Sequence, residues 1–150
     1  MLIVGAGQVG VMLANELIMN SKSKYNPYCF ADTDKQKVGN KIAGLPVIAA
    51  DNDIIEKIKE LPIEEIIIAI PKLEGDEKKH LYDFYKQSGL PIKIFDFAFG
   101  QDDTANGARV IRDFKIEELL SRAPININDD VTLRYYKGKR ILVTGGGGSI

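Results

Sequence analysis

The chain has 150 residues, 45% of them hydrophobic, which is one ordinary domain with room for its own core. Its 20 basic and 21 acidic side chains nearly cancel, which excludes a basic field for nucleic acid and an acidic tail. No apolar run reaches the ~18 residues of a membrane span, and the single Cys29 has no internal disulfide partner, which fits a reducing, cytoplasmic setting.

Strand and helix patterns alternate from the first residue. Met1–Val4 is an apolar run ending at Gly5 and reads as a buried parallel strand. Val9, Leu13 and Leu17 recur at helical spacing and predict a helix over about Gly10–Met19. A polar loop leads to Pro27, and Tyr28–Ala31 is a second strand finishing at Asp32. The stretch Lys35–Pro46, with Gly39 and Gly44, reads as a surface loop or small hairpin before a short strand at Val47–Ala49. Ile54, Ile55 and Ile58 give one face of a short helix, capped near Asp51 or Asn52. Ile66–Ile70 is a continuous apolar strand stopped by Pro71. A helix is predicted over about Asp76–Ser88, closed by Gly89, then a strand at Ile92–Phe95. Past Phe97 the pattern loosens. Arg109–Phe114 reads as a strand and Ile116–Ser121 as a short helical turn before Pro124. Alternation of this kind predicts an α/β fold, a doubly wound, mostly parallel Rossmann-like sheet with helices on both faces.

The final ten residues, Ile141–Ile150, run from an apolar strand into a second glycine-rich turn, and no helix follows. The chain also opens directly on a buried-type strand, and both ends read as cuts through a longer protein. The expected organisation is a nucleotide-binding-like domain over 1–124, then a connector with the first strand and turn of a second domain over 125–150.

Gly5-Ala6-Gly7-Gln8-Val9-Gly10 is G-x-G-x-x-G, set between a strand and a helix. In that setting Gly5 permits the tight turn, Gly7 lets the backbone approach a pyrophosphate, and Gly10 lets the helix pack against the strand. Bare amides at the Ala6 bend and the helix N-terminus, Gln8 and Val9 among them, would face a diphosphate. Asp32 stands 22 residues past Gly10, near the distance expected of a carboxylate that accepts ribose hydroxyls. A carboxylate there repels a 2′-phosphate, so NAD is favoured over NADP, a preference softened by Lys35 and Lys37. The plainer reading is that the glycines serve packing and Asp32 caps a turn.

Other candidates carry little. Tyr82 and Lys86 stand at Tyr-x-x-x-Lys spacing, as do Tyr135 and Lys139, but Leu81 and Phe84 mark the first as an ordinary amphipathic helix. His80 is the sole histidine, so no metal site is expected, and it reads as a solvated helix residue. Cys29 reads as a small core residue.

Four stretches together resemble the CapD-like polysaccharide biosynthesis family of sugar-nucleotide dehydratases and epimerases. They are Ile3-Val4-Gly5-Ala6-Gly7, then Tyr25-Asn26-Pro27 with Phe30-Ala31-Asp32-Thr33-Asp34 and the Gly44-Leu45-Pro46-Val47 loop, then Arg112–Pro124, and last Gly138–Ile150. The third is the most specific, because a generic dinucleotide fold does not demand it; Ser121 stands where glycine is common in the family. The resemblance implies membrane-anchoring helices upstream, on the cytoplasmic face, and a catalytic domain downstream. There a nicotinamide cofactor oxidises C4 of a UDP-N-acetyl sugar, water leaves from C6 and the hydride returns; relatives epimerise instead. Thr144, Gly145 and Gly148 match the second cofactor turn. No residue of 1–150 matches the catalytic constellation, so the chain alone is expected to turn over nothing. The alternatives are a nucleotide-sensing module that regulates an attached enzyme and a scaffold for homo-oligomer contacts without a cofactor.

Overall fold

The computed structural model describes residues 1–96 and 110–115, together with Leu119 and Gly138. In chain order the elements are β1 (Leu2–Val4), α1 (Gln8–Met19), β2 (Cys29–Asp32), β3 (Lys41–Ile42), β4 (Leu45–Ala49), α2 (Ile54–Glu60), β5 (Ile66–Ile68), α3 (Gly75–Lys86), β6 (Ile92–Asp96) and β7 (Val110–Asp113). The strands form a seven-stranded sheet ordered β3-β4-β2-β1-β5-β6-β7. β4, β2, β1, β5 and β6 run parallel, with β1 and β5 in register from Leu2–Ile66 to Val4–Ile68. The edge strands β3 and β7 are antiparallel to their neighbours. The fold is therefore α/β and doubly wound, with a mostly parallel sheet.

Alternation along each strand splits the core into two layers. On one face Val9, Leu13 and Ala14 of α1 pack on Ile3, Phe30, Val47 and Ile67. On the other, Ile54, Ile55 and Ile58 of α2 and Tyr85 of α3 pack on Leu2, Val4, Cys29, Ile66 and Ile68. Both faces are covered, which is why the central strands read as unbroken apolar runs. Each fully buried isoleucine contributes about 1.5–3 kcal/mol of transfer free energy. The chain walks outward from β1 through β2 to β4, and α2 then carries it back to β5 beside β1. Right-handed crossovers in opposite directions put α1 and α2 on opposite faces and leave a crevice above β1, at the carboxyl ends of the strands.

Local differences from the sequence reading have local causes. α1 starts at Gln8, not Gly10, because Gly7 is already its N-cap, with extended backbone at φ −85, ψ −174. Residues 35–46 resolve as a hairpin whose two-residue turn, Ala43-Gly44, has positive φ at both positions, 48 and 78. The N-cap of α2 is Asp53, which makes no side-chain cap bond. Asp51 instead builds the turn before it, its Oδ1 accepting the Asp53 N–H at 3.2 Å. β5 ends at Ile68, yet the Ala69 N–H still donates to the Val4 carbonyl at 2.9 Å. The capping box of α3 is Glu74 with Glu77, and Gly89 follows the helix at φ +75. The helical turn expected at 116–121, the 124/125 boundary, the connector and the second glycine turn with Thr144, Gly145 and Gly148 lie outside the described residues, Leu119 and Gly138 apart.

Candidate nucleotide-binding site

The carboxyl ends of β1, β2, β4 and β5 open into a cavity of about 510 Å³. Gly5 and Gly7 form one lip, Asp32, Thr33 and Lys37 the next, and Ala50, Asp51 and Asn52 a third. Ile70, Pro71 and, from α3, Leu81, Phe84 and Tyr85 make an apolar wall. The topology thus brings the glycine turn and Asp32 to one crevice, as their spacing in the chain predicts.

The three glycines differ in what they do. Gly5 sits at φ +101, and a Cβ there would lie 2.9 Å from Ile70 Cγ1 and 3.1 Å from the Ala69 carbonyl oxygen. A Cβ on Gly10 would lie 1.9 Å from the Gly5 carbonyl oxygen, so α1 approaches the turn only because that atom is missing. Gly7 is different. Its backbone suits any residue, and a Cβ there would meet nothing within 4 Å. Neither crowding nor backbone strain demands glycine at position 7, and the residue lines the cavity.

The amides of the turn are not all bare. The Ala6 N–H donates to Asp32 Oδ2 at 2.8 Å, so this amide is already committed within the protein. The first intrahelical bond runs from the Val11 N–H to the Gly7 carbonyl at 2.9 Å. The amides of Gln8, Val9 and Gly10 precede it and have no helical carbonyl to bind, and Gly7 supplies no side-chain cap. They are the donors an anion would meet.

Asp32 is the electrostatic centre of the crevice. Its Oδ1 accepts the Asp34 N–H at 2.9 Å, and its Oδ2 lies 3.3 Å from Lys37 Nζ. Burial pushes the carboxyl up, but the Asp34 and Ala6 amides and the Lys37 ammonium outweigh it and hold the group below the ordinary carboxylate range. Asp32 thus caps the turn at Asp34, as the plainer reading has it, and also ties β2 to the glycine turn through Ala6. It also remains at the cavity wall with one side chain face to the ligand space.

Of the residues set aside in sequence, Tyr82, Lys86, His80 and Cys29 do not line the cavity. Tyr82 packs against Phe114 in a tilted pair with ring centroids 5.0 Å apart, and Lys86 lies above its ring. His80 is exposed on α3. Cys29 is fully buried, and burial pushes its thiol up to about 11. Among the described residues no group of three or more His, Cys, Asp or Glu could hold a metal ion. Tyr135 and Lys139 lie outside the described residues. Sequence reasoning missed the wall from α3 and the Ala50–Asn52 lip. The available signal was topological, since parallel strands deliver all their following loops to one edge.

No protein-family model matches the chain. It is 38% identical to the probable polysaccharide biosynthesis protein EpsC of Bacillus subtilis, across 99% of this chain and 25% of that protein. It is 33% identical to the capsular polysaccharide biosynthesis protein CapD of Staphylococcus aureus, again across 99% of this chain and 25% of that one. The chain thus spans about a quarter of the curated relatives it matches. Among solved structures it resembles a UDP-D-quinovosamine 4-dehydrogenase of Vibrio fischeri, with a TM-score of 0.64, 24% identity and coverage of 79% of this chain and 95% of that one. It also resembles RSP, a Rex-family repressor, solved with β-NAD⁺ and operator DNA, at a TM-score of 0.52 and 27% identity over 67% of this chain and 46% of that one. The likeness to polysaccharide biosynthesis proteins, carried in sequence by four stretches, extends along essentially the whole chain.

Proposed function

We propose, from this kinship with polysaccharide biosynthesis proteins, that the chain is a nucleotide-binding domain of a nucleoside-diphosphate-sugar dehydratase or epimerase. Its cavity would hold a nicotinamide adenine dinucleotide. The observation that carries the reading is Gly7, a glycine at the cavity lip that neither crowding nor a left-handed backbone accounts for. The first amides of α1, which follow Gly7 and have no helical carbonyl to bind, suit a diphosphate at that lip, and the apolar wall of Ile70, Leu81 and Phe84 suits a flat base. Asp32 suits the ribose, and its charge favours NAD over NADP. Such a cofactor supplies hydride exchange when bound. The chain's own part is to bind and orient it.

The organisation into 1–124 and a truncated second domain over 125–150, with Thr144, Gly145 and Gly148 in a second cofactor turn, belongs to the same proposal. So do a UDP-sugar substrate for the whole protein and anchoring at the cytoplasmic face of a membrane. Among the described residues no helix is long and apolar enough to cross a membrane.

Calorimetry of the chain with NAD⁺, UDP-N-acetylglucosamine and coenzyme A tests the reading. NAD⁺ is expected to bind, and Gly7→Val to weaken it by about tenfold or more while the variant stays folded. Valine adopts the extended backbone of residue 7 without strain. Binding by none of the three ligands would overturn the proposal. The likeness to a repressor solved with β-NAD⁺ favours a second reading, in which the domain senses a dinucleotide and regulates an attached enzyme. Unequal affinities for NAD⁺ and NADH would distinguish it.

A further inference from the structure

We propose that Lys37 is a specificity-determining residue of this cavity, whose ammonium gives a 2′-phosphorylated adenosine a place beside the Asp32 carboxylate. The inference rests on the dinucleotide reading above and goes beyond it. A bare carboxylate at the end of the second strand accepts both hydroxyls of a ribose and rejects a 2′-phosphate. This carboxylate is not bare. Each of its oxygens has two lone pairs. Oδ2 is filled by the Ala6 N–H at 2.8 Å and the Lys37 ammonium at 3.3 Å. Oδ1 takes the Asp34 N–H at 2.9 Å and has one acceptor site left.

An unphosphorylated ribose that grips both oxygens must therefore displace Lys37. A ribose with a 2′-phosphate needs only one acceptor for its 3′-hydroxyl and one cation for the phosphate. Oδ1 and Lys37 supply that pair. The lysine is built to serve either way. Its side chain is 32% exposed against 12% for Asp32, so the ammonium caps the solvent side of the carboxylate and can turn without moving it. Its backbone is tied down, with the Lys37 N–H on the Asp34 carbonyl at 3.0 Å and the Gly39 N–H on the Val47 carbonyl at 2.9 Å. Asp34, 3.5 Å from the ammonium, is its other anion. Without the lysine, both carboxylates would face an incoming phosphate with no ammonium between them. Lys37 thereby lessens the preference for NAD over NADP that the Asp32 carboxylate would set alone.

Calorimetry with NAD⁺ and NADP⁺ on the whole chain tests this, using wild type, Lys37→Ala and Lys37→Arg. The expected result is that Lys37→Ala raises the ratio of the NADP⁺ to the NAD⁺ dissociation constant by roughly tenfold or more, the loss of one hydrogen bond to a charged group. Lys37→Arg restores the wild-type ratio. Where the alanine variant loses its circular dichroism, Lys37→Gln, which keeps the stem, is read instead. An unchanged ratio in a variant that still binds NAD⁺ overturns this inference alone. A folded wild type that binds neither nucleotide overturns the dinucleotide reading, and this inference with it.

Discussion

At the scale of single residues, Asp32 shows how one side chain serves both fold and site. Its carboxylate binds the glycine turn through the Ala6 amide and its own loop through Asp34, while lining the ligand space. Because the folded carboxyl holds its proton more weakly than the unfolded one, its contribution to stability is complete above the ordinary carboxylate value of about 4 and is lost as pH falls through the lower folded value. Asp32→Asn replaces one acceptor oxygen with a donor and leaves an amide without its partner. The variant should lose about 1–3 kcal/mol at pH 7, and the gap from wild type should shrink as urea titrations are repeated towards pH 3. A gap that stays constant across that range would mean that the carboxylate charge contributes nothing. The sequence set both Lys35 and Lys37 close to Asp32, but spacing alone did not say which of them pairs with it. It depends on the turn at Asp34–Lys37 folding back over the end of β2.

At the scale of elements, the turn from β1 into α1 sorts its glycines by what crowds them. Gly10→Ala sets a Cβ against the Gly5 carbonyl oxygen, a backbone atom that cannot swing aside, and should cost about 1–3 kcal/mol or more in thermal unfolding. Gly7→Ala meets open space at an ordinary backbone conformation. Loss of a preferred N-cap residue and the lower conformational entropy of the unfolded chain offset each other there, so stability should move by less than ~1 kcal/mol. Equal costs at the two positions would contradict the close approach of α1. The hairpin of β3 and β4 was only half legible. Ala43-Gly44 is a weaker turn signal than Asn-Gly, and the alternation of so short a β3 is invisible beside Lys41. The start of α2 was displaced by a turn that Asp51 builds for itself, since Asx side chains compete with helical capping.

At the scale of the whole molecule, the two core layers meet at the central strands, and Cys29 stands among them. Its thiol is fully buried and pushed up to about 11, so a thiol reagent at pH 8 should leave it unmodified in the native protein and react within the dead time in denaturant. As the chain's one cysteine it then reports global opening. Rapid native labelling would show that the sheet opens locally at β2. At the opposite end of the sheet from the cavity, Lys93 of β6 lies 2.6 Å from Glu65 and 3.2 Å from the Tyr25 hydroxyl, tying three separate segments together. The hydrogen bond to Glu65 holds this ammonium above its ordinary value, against some desolvation. The sequence alone determined the order of strands and helices, the buried character of the central strands and the likeness to polysaccharide biosynthesis proteins, because period, glycine placement and apolar run length are local properties written along the chain. Only the tertiary structure decided which glycine the fold can spare, which turn amides stay free and which cation sits on Asp32. Those depend on distances that neither period nor run length fixes: Gly5 to Ala69 and Ala6 to Asp32 across the sheet, Gly10 to Gly5 and Lys37 to Asp32 across tight turns.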